Sequence, residues 1–330
     1  MINENLKMCL IALGVAFAIC VIVCPLFIPL LRKLKFGQYI REEGVETHKK
    51  KAGTPTMGGI VIMLAFIIAS CFFLKDNLDS LSILLVTVGY GLIGFLDDFL
   101  KIKHKNNLGL RAWQKMLGLF IVTGLFMYYM IGIKHMDTTT MIPFMNGYML
   151  DLKWLFIPFV LCVMLGTTNS VNMTDGLDGL ATGVTILVTT FFAIVAYKYF
   201  FTMAPIACAL IGALLGFLLY NAHPAKVFMG DTGSLMLGGI VAVSCIIIRK
   251  ELLIPILCGV YLAQSVSVLM QVSYFKYTKK RYGEGRRIFL MAPLHHHYQK
   301  KGMHESKIVQ HFIIISLLLA VLTVVTLKIR

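Results

Sequence analysis

Ten stretches of the chain approach the roughly 20 apolar residues that cross the hydrocarbon core of a bilayer. They run Leu6 to Leu31, Met57 to Phe73, Leu81 to Phe99, Trp113 to Ile133, Leu155 to Val171, Leu180 to Tyr199, Pro205 to Tyr220, Leu235 to Ile248, Leu252 to Tyr274 and Ile308 to Leu327. Inside lipid every backbone N–H and C=O must be satisfied within the protein, which leaves helices and closed barrels as spanning structures. Runs of this length select helices. Of 330 residues 58% are hydrophobic and 14% charged, and the mean hydropathy is +0.80, whereas a soluble domain carries about 25% charged residues. The expected fold is an all-α integral membrane protein, a bundle of about ten transmembrane helices forming one polytopic domain over residues 1–330.

A formal charge of +15 would suit nucleic acid, but the Lys and Arg residues sit in short connections between apolar runs, where membrane topology explains them. Nucleic acid is set aside as a partner. Alternating the connections gathers Lys49 to Lys51, Lys101, Lys103, Lys105, Arg111, Lys226 and the basic Lys276 to Lys307 segment on one side. The positive-inside rule makes that side cytoplasmic and puts both termini outside, as in a multi-pass protein of the bacterial plasma membrane. The eight cysteines lie in or near apolar runs with no CxxC pair, and read as small core residues. The first run follows MINENLK, which is not a basic leader, and no small-residue cleavage site closes it. It is read as a retained helix. On the outer side Ile142 to Leu152, with Asn146-Gly147 between apolar flanks, signals a small β-hairpin. Pro25 and Pro29 should kink the first span, and Gln264, Ser267 and Gln271 form a polar stripe on the ninth that should face the bundle.

The least membrane-like sequence in the middle of the chain is NSVNMTDGLDGL, Asn169 to Leu180. Asn169, Asn172, Asp175 and Asp178 recur every third residue, a spacing that a straight helix disperses by about 60° per step. Convergence therefore requires a broken helix, for which Gly176 and Gly179 supply positive-φ freedom. The third span ends in Asp97, Asp98 and Lys101, carboxylates that are costly at a membrane boundary unless paired, hydrated or metal-bound. DDFLK is not the repeated DDxxD of soluble prenyl-diphosphate synthases. In Asn221 to Ser234, NAHPAKVFMGDTGS, Asp231 stands between Gly230 and Gly233 while Phe228 offers a flat stacking face. The last cytoplasmic connection carries His295, His296 and His297, which cannot all ligate one ion from a regular helix and so suit phosphate binding or proton handling. Lys49 to Gly59, KKKAGTPTMGG, is a Gly-rich lead-in to a helix and suits anions, without being a P-loop. Carboxylates, lysines and histidines on one face suit a diphosphate held through Mg²⁺ on a cytoplasmic active-site face.

Five motifs in order, KAGTPTMGG, DDFLK, NxxNMTDGLDGL, NAHPAKVFMGDTGS and PLHHHYQKKG, closely resemble the phospho-N-acetylmuramoyl-pentapeptide transferase family, and the likeness runs through all ten spans. The resemblance implies transfer of phospho-MurNAc-pentapeptide from its UDP derivative to undecaprenyl phosphate, with Mg²⁺, releasing UMP. It implies Asp231 as metal ligand with Asp97 beside it, and Asp97, Asp98, Asp231, His295, His296 and His297 as the catalytic set. It places Asn172, Asp175, Gly176, Leu177, Asp178, Asn221 and Phe228 in the nucleotide pocket, with Phe228 stacking on uracil. Lys51 and Thr56 are implied on the uridine side, and Lys101, Lys115 and Asn169 join the substrate-binding residues. A homodimer is also implied. Two other readings are a GlcNAc-1-phosphate transferase of the same superfamily and a secondary transporter, whose site would lie near the bilayer midplane with repeat symmetry.

Overall fold

Where the apolar runs were read, helices form, and their polar ends gather at one end of the bundle. The computed structural model describes residues 4–34, 53–74, 78–104, 109–145 and 147–328. The helices are α1 (Glu4–Lys33), α2 (Gly59–Cys71), α3 (Leu78–Lys103), α4 (Ala112–Met127, continued by a π-turn), α5 (Phe156–Thr174), α6 (Leu180–Tyr199) and α7 (Ala204–Asn221). There follow α8 (Gly230–Ile247), α9 (Ile254–Leu257), α10 (Gly259–Tyr282), α11 (Leu294–Lys300) and α12 (Glu305–Lys328). Among the described residues eight helices are long and apolar enough to cross a membrane, or nine if the pair Glu251–Leu257 and Gly259–Tyr282, bent by 81°, is one span. Two of the ten runs depart from plain spans. The second gives a helix of 13 residues, which at 1.5 Å per residue covers about 20 Å of a hydrocarbon core about 30 Å thick. The ninth breaks at Cys258, directly before Gly259.

Helix α8 is the axle. Its sequence GDTGSLMLGGIVAVSCII is apolar on every side, as a helix surrounded by protein requires. Its most apolar window is 83% buried, against 28% for α1, so α8 lies inside the bundle and α1 at its outside. Around α8 pack α3, α5 and α2. The expected disturbance in α1 is absorbed without a break: the helix runs through Pro25 and Pro29. Pro25 has no N–H to give the carbonyl of Val21, four residues back, and the Tyr220 hydroxyl of α7 donates to that carbonyl at 3.0 Å. A neighbouring side chain thus does what the backbone cannot, as membrane interiors demand.

At the opposite end from the site, β1 (Thr139–Met141) pairs antiparallel with β2 (Met149–Asp151), with Thr140 opposite Leu150. The hairpin begins three residues earlier than Ile142, Gly147 takes φ +77 at its turn, and Asn146 lies outside the described residues. Arg249 donates to the Thr139 carbonyl at 2.9 Å and the Thr140 hydroxyl to the buried Glu251 at 2.5 Å, tying the hairpin to the α8–α9 connection.

Candidate active site

Gly94, Asp97, Asp98 and Lys101 share one face of α3 at helical spacing. A Cβ on Gly94 would overlap the Asp231 carbonyl, so the glycine is what lets α3 lie against the first turn of α8. Asp98 then works as the anchor of that turn. Its Oδ2 accepts from the Thr232 amide at 2.9 Å and the Thr232 hydroxyl at 2.8 Å, and its Oδ1 from the Asp231 amide at 3.2 Å. A carboxylate at a helix N-terminus satisfies donors that have no intrahelical partner and meets the positive end of the dipole. The anchor presents Asp231 to a pair of ammonium groups. Lys101 Nζ lies 2.5 Å from Asp97 Oδ2, 2.9 Å from Asp231 Oδ2 and 3.8 Å from Asp98 Oδ1, and Lys115 Nζ, from α4, lies 2.7 Å from Asp231 Oδ2. Asn172 of α5 donates to Asp231 Oδ1 at 2.8 Å, and the Leu110 amide to Asp97 Oδ1 at 2.8 Å.

Three carboxylates against two lysines leave one net negative charge. Oxygens of Asp97, Asp98 and Asp231 lie within 4.8 Å of one another. An all-oxygen, carboxylate set fits a hard cation such as Mg²⁺, and lacks the Cys and His donors that zinc sites favour. Asp98 spends both oxygens on donors of α8, whereas Asp231 Oδ2 and Asp97 Oδ2 meet lysine ammonium groups, cations whose place a metal ion could take. The Asp231 side chain is 18% exposed against 4% for Asp97 and Asp98, which makes it the carboxylate open to a ligand.

The break after α5 falls where the two Asp-Gly pairs are, from Asp175 to Gly179, and Gly179 has φ +77. Gly176 does not. Its smallness serves packing, because a Cβ there would run into Nε2 of His295. The break also parts the four polar residues rather than converging them. Asn172 joins the carboxylates. Asn169 donates to Leu165 O in its own helix at 2.7 Å and touches the Met116 sulfur, apart from both acidic groups. Asp178, buried, accepts from the Ala225 amide at 3.1 Å and pairs with His223 Nδ1 at 3.0 Å, while its own amide donates to Glu305 of α12 at 2.7 Å. Asp175 and Gly176 are half-buried and Leu177 is buried.

Asn221 holds the loop it begins, accepting from the Thr182 hydroxyl at 2.7 Å and donating to Val227 O at 3.0 Å. Phe228 is half-buried there. Its amide donates to Pro55 O at 2.9 Å and its carbonyl accepts from Gly58 at 2.8 Å, a backbone pairing that brings Thr56 to the edge of the site. Lys51 lies outside the described residues.

The three histidines point to three different partners. His295 is wholly buried, with its amide and Nδ1 on Gln264 Oε1; His296 Nδ1 meets Gln299 Oε1 at 2.8 Å; His297 Nδ1 accepts from the Leu290 amide at 3.1 Å. None belongs to either metal-capable group found among the described residues, Asp97, Asp98 and Asp231 or Asp178, His223 and Glu305. His295, expected in the catalytic set, is wholly buried here, between Gln264 and the α5–α6 break. Gln264 and Gln271, from the stripe on α10, face inward as expected and bind the turn: Gln271 Oε1 accepts from the Ile288 and Phe289 amides at 3.0 Å each. Glu305, His223 and Ser234 were not singled out in the sequence. Glu305 carried one signal, an acid opening the last apolar run. Gly176→Ala is expected to push His295 or the break aside and cost about 1–3 kcal/mol of stability, read as a lower midpoint of thermal unfolding in detergent.

The Glycosyl transferase family 4 profile matches residues 80–249, and the phospho-N-acetylmuramoyl-pentapeptide-transferase signature 1 matches residues 51–63. Proteins named phospho-N-acetylmuramoyl-pentapeptide-transferase are similar along nearly the whole chain. That of Caldicellulosiruptor bescii is 45% identical over 322 residues, covering 97% of this chain and 98% of its own. That of Clostridium kluyveri is 48% identical over 307 residues, 92% and 95% of the two chains. That of Halalkalibacterium halodurans is 44% identical over 324 residues, 96% and 97%.

Proposed function

The chain belongs to the phospho-N-acetylmuramoyl-pentapeptide transferase family, and from that premise we propose how its site performs the family's reaction. The activity is transfer of phospho-MurNAc-pentapeptide from its UDP carrier to undecaprenyl phosphate, which makes lipid I for peptidoglycan. The single observation that carries the site assignment is the meeting of Asp97, Asp98 and Asp231 with Lys101 and Lys115 at one end of the bundle.

In the proposed step an oxygen of the lipid phosphate attacks the sugar-bearing phosphorus in line. A P–O bond to the lipid forms, the P–O bond to UMP breaks, and UMP leaves with the electron pair. Lys101 and Lys115 neutralise charge on the diphosphate, and Asn172 holds Asp231 in place between them. Mg²⁺ held by Asp231 and Asp97 would supply further neutralisation of the diphosphate oxygens. Positioning and electrostatics carry most of such a transfer. No strong base is needed, because a phosphate monoester with a second pKa of about 6 is largely dianionic at pH 7. Asp98 is an unsuitable nucleophile, since both its oxygens are engaged by the start of α8. That supports direct attack over a two-step route through an aspartyl phosphate.

On the donor side we place the nucleotide along Asp175, Asp178 and Phe228, with Thr56 and Lys51 nearby. Ten membrane passages, a cytoplasmic site, both termini outside and a homodimer complete the proposal, on the strength of the resemblance and the loop charges. The orientation is read by cysteine labelling. Gly147 and Gly285 are poor positions, the first for its φ of +77 and the second because a Cβ would overlap Phe275. The exposed Glu284 and Tyr148 serve better. Glu284→Cys is expected to react with impermeant thiol reagents from the cytoplasmic face alone and Tyr148→Cys from outside alone; labelling of both from one face would overturn the topology. For the reaction, purified protein with undecaprenyl phosphate should release UMP from UDP-MurNAc-pentapeptide and far less from UDP-GlcNAc. Comparable release from both would favour the GlcNAc-1-phosphate reading.

A further inference from the structure

We propose that Gln264 is a positioning residue: it fixes the tautomer of His295, and His295 in turn holds the α5–α6 break in the form that presents Asp175 and Asp178. This rests on the reading that those two aspartates serve the nucleotide.

The hydrogen positions follow from a simple constraint. A backbone N–H can only donate. Gln264 has one side-chain atom, Oε1, 3.2 Å from the His295 amide, so that atom is the carbonyl oxygen and not the amide nitrogen. The same oxygen is 3.1 Å from His295 Nδ1. Two acceptors cannot bond each other, so Nδ1 carries a proton, and in the neutral form of the ring Nε2 is then the lone-pair nitrogen. That nitrogen lies against Gly176, where only the absence of a side chain leaves room for it.

The same constraint gives His297 the opposite tautomer. The Leu290 amide donates to its Nδ1 at 3.1 Å, so Nδ1 is bare and Nε2 carries the proton. A second proton on His297 would break that bond, and burial, with Lys301 adding to it, holds the ring below the ordinary imidazole value. Two neighbouring imidazoles are thus locked in different forms by different partners.

Gln264 belongs to this device and not to general packing. It is wholly buried in a helix expected to be apolar, and its Nε2 has no hydrogen-bond partner. A buried amide that leaves half of itself unsatisfied is costly, and the half that is used is the oxygen on His295. Along the same face Gln271 binds the Ile288 and Phe289 amides, so α10 holds the histidine turn at both ends. His295 reaches the break at Gly176 from that fixed turn, and two residues on Asp178 is held by Glu305 and Ala225.

The test uses the full chain in lipid nanodiscs with ¹³C,¹⁵N-labelled histidine, signals assigned through His295→Asn and His297→Asn. In the wild type His295 should show the Nδ1–H signature and His297 the Nε2–H signature. Gln264→Leu should erase the first and spare the second, raise KM for UDP-MurNAc-pentapeptide about tenfold and leave kcat within about twofold, the pattern of lost ground-state positioning. Gln264→Glu, which keeps the acceptor oxygen, should retain the His295 signature. An Nε2–H signature for His295 in the wild type overturns the proposal, and that spectrum decides even if Gln264→Leu does not fold. An unchanged His295 in folded Gln264→Leu overturns it as well. A lost signature with unchanged KM would sink the nucleotide role of Asp175 and Asp178 while upholding the tautomer.

Discussion

Asp231→Asn is expected to lower kcat by about three orders of magnitude with the protein still folded, measured as UMP release at saturating substrates. The side chain is isosteric, and the bond from Asn172 and the place at the start of α8 can persist. What is lost is the charge that two lysines share, Lys101 at 2.9 Å and Lys115 at 2.7 Å, and the most exposed carboxylate of the metal-capable group. Stabilising charge that shifts as the P–O bond breaks is worth several kcal/mol, at about 1.36 kcal/mol per factor of ten. The loss should appear in kcat and kcat/KM together, the mark of an interaction made in the transition state. Asp178→Asn, by contrast, should act mainly on KM. Turnover by Asp231→Asn at the wild-type rate would remove Asp231 from the reaction.

Asp98→Ala is expected to be damaging for a different reason. The Asp231 amide, the Thr232 amide and the Thr232 hydroxyl would lose their acceptor in a buried place, at about 1–3 kcal/mol for each unsatisfied group. The first turn of α8 would shift and carry Asp231 with it. Both a fall in kcat of about 100-fold or more and a lower unfolding midpoint should follow. Wild-type protein given radiolabelled UDP-MurNAc-pentapeptide without lipid acceptor should yield no phosphorylated protein. An aspartyl phosphate isolated under those conditions would instead make Asp98 a nucleophile and its anchoring role secondary.

How much of this was legible depends on what range of contact each feature needed. The helices could be read because apolar length is a local property, and every one of the ten runs is helical. The shortness of α2 and the bend before Gly259 could not, since both depend on what packs beside them. The break at Asp175 to Gly179 was written in two Asp-Gly pairs, but the triplet spacing of Asn169, Asn172, Asp175 and Asp178 implied one constellation, and a break sends residues on its two sides to different neighbours. Asn172 finds Asp231, 59 residues on, and Asp178 finds Glu305, 127 residues on. The Asp-Gly pairing reads as backbone freedom at Gly176, whereas in the fold the missing side chain makes room for the imidazole of His295. The polar stripe on α10 was readable as inward-facing, because polar residues at helical spacing avoid lipid. Its partner, the histidine turn, was not, because nothing in the spacing ties Gln264 to His295.

A single in-line displacement at the Asp97–Asp98–Asp231 cluster fixes the stereochemical outcome at phosphorus. A UDP-MurNAc-pentapeptide made chiral by sulfur at the sugar-bearing phosphorus would be turned over with undecaprenyl phosphate, and the configuration of the lipid product determined. One displacement inverts that centre, and inversion is the expected result. Retention would mean two displacements and a covalent phospho-enzyme, and would contradict it.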